Sequence, residues 1–346
     1  MIGPPPAVAR VRSAVRAELE DIAPGSLVLA AVSGGRDSLA LADGCAFEAP
    51  KLALQCGGLI VDHGLQPGSR DVANEIALVL RSIGLEPVEV LTVTVAETGS
   101  LEAAARSARY GALEVAAERL GSATVLLGHT LDDQAETVLL GLGRGSGARS
   151  LSGMARRRGI YRRPLLGLDR HTTGDACVAA GLKPWDDPHN DDARFRRVLV
   201  RHRVLPVLEE QLGPGVAQAL ARSAEMLRDD DIALEHWAAD VHARATADSP
   251  AEGLDCAVLS EVPAAVRRRV LRLAALTAGV PGGALRQSQL LDVDLLVAGW
   301  HGQGAVDLPG GVSVSRLCGR LRFTLARPSA SIDQPQHPQH PQHSEE

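Results

Sequence analysis

Short apolar runs alternate with amphipathic stretches over the first third of the chain. Residues 71–83 and 101–120 carry apolar side chains at helical spacing, as does the stretch after the Pro-rich start. Four apolar runs predict buried strands, at residues 27–32, 59–61, 88–95 and 124–128. Continuously apolar strands that alternate with helices are typical of a parallel sheet covered on both faces. The pattern therefore predicts an α/β domain with a doubly wound parallel sheet.

The rest of the chain predicts a second, smaller and mostly helical domain. Residues 144–192 are charged and loop-rich, residues 195–211 form a basic helical stretch, and residues 216–245 carry apolar positions at helical spacing. Smaller helices are expected over 255–298. A strand pair is expected over 306–325, around the turn residues Pro309-Gly310-Gly311. We place the domains at 1–215 and 216–328, followed by a low-complexity tail at 329–346 that is expected to be disordered, although its histidines can also bind a metal.

Composition narrows the class of protein. The 346 residues carry a formal net charge of −6, which excludes a basic surface over the whole chain but leaves room for local basic patches. No apolar run is long enough to predict a membrane span, and the N-terminus lacks the apolar core of a signal peptide. Five scattered cysteines without a C-x-x-C pair favour a reducing compartment. We expect a cytoplasmic protein that does not bind membranes.

A glycine-containing loop, Ser33-Gly34-Gly35-Arg36-Asp37-Ser38, separates the first predicted strand from a helix. Glycines let the backbone approach a ligand closely, and N–H groups at a helix N-terminus bind phosphate. Asp37 would repel phosphate unless a cation such as Mg²⁺ bridges them. The alternative is a plain helix cap, and the lysine of a Walker A loop is absent. The stretch resembles the loop of the PP-loop ATP pyrophosphatases, which implies a Rossmann-like fold with ATP and Mg²⁺ as cofactors.

An acidic cluster follows the fourth predicted strand. Asp132, Asp133 and Glu136 lie in the first turns of a predicted helix, and Glu136 shares a face with both aspartates. Such a set can hold a magnesium ion, an ammonium group or both, or it can be only an acidic helix start. His129, at the strand end, can contact phosphate or be a core histidine.

Longer motifs indicate which family of PP-loop proteins the sequence resembles. The stretch LLGHTLDDQAETVLLGLGRGSGARSLSGM begins at Leu126, and SLEAAARSARYGAL begins at Ser100. VDHGLQPGSRDVA begins at Val61, and Arg163-Pro164-Leu165-Leu166 and Asp187-Pro188-His189-Asn190 follow later. Together they resemble the tRNA(Ile)-lysidine synthetase family over residues 25–212, and more weakly as far as residue 325. Ser150 stands where the family has a glycine, and Val198 where it usually has asparagine.

The resemblance implies a ligase that joins free L-lysine to C2 of the wobble cytidine of isoleucine tRNA with a CAU anticodon. It would act through an adenylated tRNA, turning ATP into AMP and pyrophosphate, and a homodimer is expected for the family. Asp37 would hold the metal, Asp133 and Glu136 the lysine, and the expected catalytic residues are Asp37, Asp132, Asp133 and Glu136. The expected ATP-binding residues are those of the loop at 33–38 with His63, Arg106, Arg109, Gly128 and His129. The expected tRNA-binding residues are Arg144, Arg163, Arg197, Arg201 and Arg203.

For some of the arginines named above, a simpler structural role is also possible. Arg106 and Arg109 can approach ATP phosphates or pair with acidic neighbours, and the basic blocks around Arg163 and Arg197 can contact tRNA or form a solvated face. Other functions also stay open. A tRNA thiolase would need catalytic cysteines near the loop, a small-molecule ligase would not need the basic blocks, and a non-catalytic RNA-binding protein would not need an intact loop.

Overall fold

The computed structural model describes residues 3–64, 68–94, 101–145, 147–185, 196–247 and 252–325. The chain divides into two compact units, Met1–Asp229 and Asp230–Glu346. The sequence places the boundary at residue 215, whereas this division falls inside a long helix that begins at Val216. The predicted tail and the motif at residues 187–190 lie outside the described residues.

The first unit contains a mainly parallel sheet. Its strands are β1 (Leu27–Ala31), β2 (Gln55–Asp62), β3 (Val88–Thr92), β4 (Thr124–Leu127), β5 (Arg157–Arg158) and β6 (Tyr161–Arg162). They are ordered β3-β2-β1-β4-β6-β5, with β5 antiparallel and the other pairs parallel. The four apolar runs in the sequence thus correspond to β1, β2, β3 and β4, which are adjacent and parallel in the sheet.

The helices of the first unit connect these strands. They are α1 (Pro6–Leu19), α2 (Arg36–Glu48), α3 (Ser69–Ser82), α4 (Leu101–Arg119), α5 (Leu131–Gly143), α6 (Ala148–Leu151), α7 (Arg170–Ala179), α8 (Arg196–Leu199), α9 (Leu205–Leu212) and α10 (Val216–Thr246), which continues into the second unit. A π-helical turn, Val200–Val204, joins α8 to α9. The sequence pattern does not predict α7, which lies within the stretch described as loop-rich.

Side chains of the central strand alternate between two cores. Val28 and Ala30 of β1 pack in the cluster that contains residues of α1, α2, α3 and α7. Leu29 packs in the other cluster, with Leu59 of β2 and Leu113 of α4. Because successive strand residues point to opposite faces, helices cover both sides of the sheet. The doubly wound fold expected from the sequence is confirmed.

The second unit combines helices with a small antiparallel sheet. Its further elements are β7 (Leu254–Asp255), α11 (Cys256–Ser260), α12 (Ala264–Thr277), α13 (Gln287–Ala298), β8 (Val306–Leu308), β9 (Val312–Leu317) and β10 (Arg320–Leu325). The strands are ordered β7-β10-β9-β8, so β8 and β9 form the predicted pair around Pro309-Gly310-Gly311, and β10 and β7 extend it to a four-stranded sheet. In the described part of the chain, no helix has the length and apolarity needed to cross a membrane.

Candidate active site

A cavity of about 870 Å³ opens at the carboxyl ends of β1, β2 and β4. Residues that end or follow these strands line it, among them Ser33, Asp62, His63, Gly128 and His129. β2 lies on one side of β1 and β4 on the other, so the sheet order reverses at β1. Open α/β sheets bind ligands at such a reversal.

The loop between β1 and α2 forms one wall of the cavity. Gly34 has a φ of +85°, a conformation that favours glycine, and a Cβ there would also displace the end of the Ile76 side chain, whose Cδ1 would lie 2.4 Å away. The Ser33 N–H donates to Ser38 Oγ at 3.2 Å, and Ser38 Oγ donates to the Gly35 carbonyl at 2.8 Å. The first turn of α2 is thereby tied to the loop. Its backbone N–H groups begin at the cavity wall, where an anion can bind.

Gly128 brings the end of β4 directly against this loop. A Cβ at Gly128 would lie 3.1 Å from Ser38 Cα and 3.2 Å from Ser38 N. Both of these are backbone atoms, which cannot turn away as a flexible side chain can. A larger residue would therefore push β4 away from the start of α2, and the cavity wall would change shape.

Asp37 is the carboxylate at the start of α2. Its carboxylate accepts a hydrogen bond from Thr173 Oγ1, and its Oδ2 lies 3.6 Å from Arg170 Nε. Burial raises the pKa of Asp37 above its ordinary value, although Thr173 and Arg170 oppose that shift. Within the described residues, no group of three or more His, Cys, Asp or Glu is arranged to hold a metal. Mg²⁺ is commonly held by one or two carboxylates together with substrate phosphates, and Asp37 fits that donor set.

Asp133 is the member of the acidic cluster that lines the cavity. Its Oδ2 accepts the Thr130 N–H at 2.8 Å and Thr130 Oγ1 at 3.2 Å, so it caps the start of α5. Burial acts to raise the pKa of Asp133, but the charges of Arg197 and Arg170 and the hydrogen bond from the Thr130 N–H outweigh it and hold the pKa below its ordinary value. Asp133 is therefore a charged carboxylate at the cavity. Asp132 does not line the cavity, and its Oδ2 accepts the Arg170 N–H at 2.7 Å.

Glu136 is fully buried and is bound by arginines from α7, α8 and the π-helical turn. Its carboxylate lies 3.4 Å from Arg170 Nη2, 2.9 Å from Arg197 Nε and 2.7 Å from Arg201 Nε. All three arginines line the cavity, whereas Glu136 does not. One buried carboxylate thus holds three guanidinium groups at the cavity wall.

His129 follows β4 and lines the cavity. Burial lowers its pKa from 6.5 to about 3, with Arg163, Arg197 and Arg109 adding to the effect and Asp133 opposing it. Its Nδ1 is buried and has no hydrogen-bond partner among the described residues. His129 is therefore neutral at neutral pH, and it can offer a ligand a hydrogen bond but not a positive charge.

The remaining predicted phosphate and tRNA contacts divide into two groups. Arg109 lines the cavity, but Arg106 does not, and the Arg106 guanidinium lies 5.0 Å from the centroid of the Tyr110 ring. Arg163 is only 4% exposed, and its Nη1 donates to the Ala155 carbonyl at 2.8 Å. In this conformation Arg163 faces the protein interior and does not lie on the surface, where a tRNA contact was expected. Outside the cavity, the exposed members of the tRNA set are Arg144 and Arg203.

The cavity residues that the sequence reasoning missed include Arg170 and Trp185. Arg170 is the first residue of α7, and the Asp169 side chain caps that helix by accepting the Thr172 N–H at 2.7 Å. Asp169 before Arg170 is a helix-start signal that could have located α7. Trp185 donates its backbone N–H to the Gly34 carbonyl at 3.0 Å, a long-range contact that has no local signature.

Comparison with known proteins identifies the domains of this chain. Residues 9–208 match the model of the PP-loop domain, and residues 254–322 match the model of the TilS substrate binding domain. A U34-tRNA thiolase from Methanococcus maripaludis shares the fold, with 19% identity and a TM-score of 0.54 over 64% of this chain and 79% of that chain. The first unit is thus a PP-loop, ATP-using domain.

Two curated relatives extend the similarity to most of the chain. The tRNA(Ile)-lysidine synthase of Streptomyces coelicolor is 53% identical over 92% of this chain and 99% of its own length. That of Thermobifida fusca is 55% identical over 90% of this chain and 95% of its own length. The chain belongs to the tRNA(Ile)-lysidine synthase family, which confirms the resemblance found in its motifs. Membership makes it an ATP-dependent ligase.

Proposed function

We propose that this chain joins free L-lysine to C2 of the wobble cytidine of isoleucine tRNA with a CAU anticodon. In the first step the C2 oxygen attacks the α-phosphate of ATP, and pyrophosphate leaves. In the second step the lysine ε-amine attacks C2, and AMP leaves with the oxygen. One observation carries the proposal: a single cavity joins the phosphate-binding loop after β1 to the charged carboxylate of Asp133.

The first step needs positive charge around the leaving pyrophosphate. The N–H groups at the start of α2 supply part of it, and Arg36, Arg109 and Arg170, which line the same cavity, supply more. Mg²⁺ held by Asp37 and the phosphates would add further charge neutralisation of the leaving group. The loop and arginines therefore bind ATP and stabilise pyrophosphate as it departs.

The second step needs a site for a cation. A free lysine side chain has a pKa of about 10.4, so its amine is protonated in neutral solution. Asp133 lines the cavity and is ionised, so it can hold the ammonium group beside the adenylated base and accept its proton as the amine attacks. Glu136 is occupied by three arginines, so it can contact lysine only if those arginines turn away. We assign Asp133 the first contact and Glu136 a second one after such a movement.

The tRNA must reach this cavity from outside. Arg203 and Arg144 are exposed and are proposed to contact tRNA phosphates, which position an RNA without reading its sequence. All five cysteines lie in the described part of the chain, and none of them lines the cavity, so a thiolase is not favoured. We place the reaction in the cytoplasm, where ATP and tRNA occur. The expected homodimer stays a prediction that sedimentation velocity would test.

Incorporation of radiolabelled lysine into an isoleucine tRNA transcript with a CAU anticodon tests the function. We expect label that requires ATP and that is lost in Asp37→Ala. Asp43→Ala is the matched control, because Asp43 lies on the same helix but pairs with Arg12 at 3.6 Å and does not line the cavity. It should keep the activity.

The other outcomes separate the two steps. Pyrophosphate released on tRNA without label would keep the adenylation step and overturn lysine as the nucleophile. Neither label nor pyrophosphate would leave a non-catalytic RNA-binding protein. Equal label on a methionine tRNA transcript with the same anticodon would refute the specificity for isoleucine tRNA.

A further inference from the structure

A second cavity, of about 640 Å³, lies within the second unit. The start of α11, the end of α13 and the β9–β10 hairpin line it, and its side chains include Trp300, Arg316, Cys318 and Arg320. It shares no lining residue with the cavity of the first unit. Residues 254–322, which match the substrate binding domain model, include all of its lining residues.

Trp300 makes this cavity unusual in a chain so poor in aromatic residues. Aromatics are 2% of the sequence, with three tryptophans, and Trp300 is 39% exposed although it is large and apolar. The Arg316 guanidinium carbon lies 5.2 Å from the centroid of the Trp300 ring, within cation–π distance. The ring is thus held in place by a cation while part of its surface stays open to a ligand.

Charge in the cavity favours an anion beside that ring. Arg316 donates to the Leu296 carbonyl at 2.9 Å, and among the residues that the structure describes it makes no ion pair with a carboxylate. Arg320 lies 3.6 Å from the exposed side chain of Glu252. Asp255 also lines the cavity, but its Oδ1 is engaged by the Ala257 N–H at 2.7 Å. Two arginines and this one carboxylate are the charged residues of the lining, so the cavity carries a net positive charge.

We propose that this cavity binds an unpaired base of the tRNA, stacked on Trp300, with its backbone phosphate against Arg316 and Arg320. The inference rests on the proposed function in one respect, that tRNA is the substrate. Every base has a π-face, and unpaired bases stack on aromatic rings and guanidinium planes, whereas bases inside a duplex are covered. The cavity would therefore hold a nucleotide other than the reacting cytidine and add affinity for the whole tRNA.

Cys318 provides a direct reporter of occupancy. It is the only exposed cysteine of the five, and it lines this cavity at the turn between β9 and β10. We expect isoleucine tRNA, added without ATP or lysine, to slow alkylation of Cys318 at least fivefold. A blunt RNA duplex and ATP alone should not slow it. Unchanged alkylation with tRNA, or equal protection by duplex or ATP, would overturn the assignment to an unpaired tRNA base.

Substitution of Trp300 gives a second test with a matched control. Losing one stacked base costs a factor of about ten or more in binding, so Trp300→Ala should raise KM for tRNA by that factor. Trp300→Phe should restore most of it, and kcat and KM for ATP should not change. Trp237→Ala is the control, because Trp237 is 45% exposed but does not line the cavity.

The two tests distinguish failure of this inference from failure of the proposed function. If Trp300→Ala behaves like Trp237→Ala while the wild-type enzyme transfers lysine, the stacking site is wrong and the function stands. If the wild-type enzyme transfers no lysine, the proposed function fails. Cys318 protection by tRNA would still report whether the cavity binds RNA.

Discussion

Glu136→Gln removes one negative charge from beneath three guanidinium groups and changes little else. Glutamine has nearly the same shape, and its carbonyl oxygen can still accept from one arginine. The wild-type carboxylate is 0% exposed and contacts Arg170, Arg197 and Arg201 at 2.7–3.4 Å. The variant would leave those cations to share Asp133, which lies 3.3 Å from Arg170 and 3.5 Å from Arg201.

The expected cost is about 3 kcal/mol in the free energy of unfolding of the first unit. Removing one partner of a buried ion pair costs about 3–5 kcal/mol, because the other charge stays buried without compensation. The arginine side chains are 22–25% exposed. Water therefore partly screens their charges, and the lower end of the range of about 3–5 kcal/mol applies. For a unit of this size, about 3 kcal/mol corresponds to a fall of about 6–12 °C in Tm.

Urea unfolding followed by Trp185 fluorescence measures this cost, with the other two tryptophans changed to phenylalanine. Glu89→Gln is the matched control, because Glu89 pairs with Arg119, whose side chain is 55% exposed. Surface pairs contribute about 1 kcal/mol at most, and salt screens them. The Glu136 effect should persist in high salt. A Glu136→Gln variant as stable as the Glu89→Gln variant would refute the argument that Glu136 balances the three arginines.

Three further outcomes follow from the same site. In Gly128→Ala the new Cβ would lie 3.1 Å from Ser38 Cα, so KM for ATP should rise about tenfold. Gly143→Ala, where a Cβ meets nothing within 4 Å, is its control, and equal KM values would contradict the close-packing argument. The folded pKa of His129, about 3, lies below its ordinary 6.5, so the unfolded chain takes up a proton first as pH falls. The free energy of unfolding should then drop by about 1.4 kcal/mol for each unit of pH decrease between these values, and His129→Gln should remove this part of the pH dependence. If the urea midpoints of the wild-type protein and the variant depend on pH in the same way, the low pKa of His129 is refuted. Burial raises the pKa of Asp37, so the Asp37 carboxyl of the metal-free protein, followed by NMR, should titrate at a pH above its ordinary pKa of 3.8. A titration midpoint at or below that value would refute the effect of burial.

The strands and the loop of the first unit could be predicted because their signals are local. An apolar run that stops at Ser33-Gly34-Gly35 predicts a buried strand, a tight turn and a helix start within a dozen residues. Helices α3 and α4 are recognisable from apolar spacing for the same reason. The sequence analysis predicted too few strands for the second sheet. Strand β7 consists only of Leu254–Asp255, and two residues are too few to show an alternating pattern. Helix α7 was missed although Asp169 marks its start.

The sequence by itself determined which chemical groups are present and in which local elements they lie. It placed a phosphate-binding loop after one strand and three carboxylates after another, and its motifs indicated the family. Only the tertiary structure decided which charges meet. Arg170, Arg197 and Arg201 are 34, 61 and 65 residues from Glu136 along the chain, yet they converge on its carboxylate. Burial of apolar faces brings these helical segments together, and that long-range packing decides whether a guanidinium faces solvent or, like Arg163, the interior.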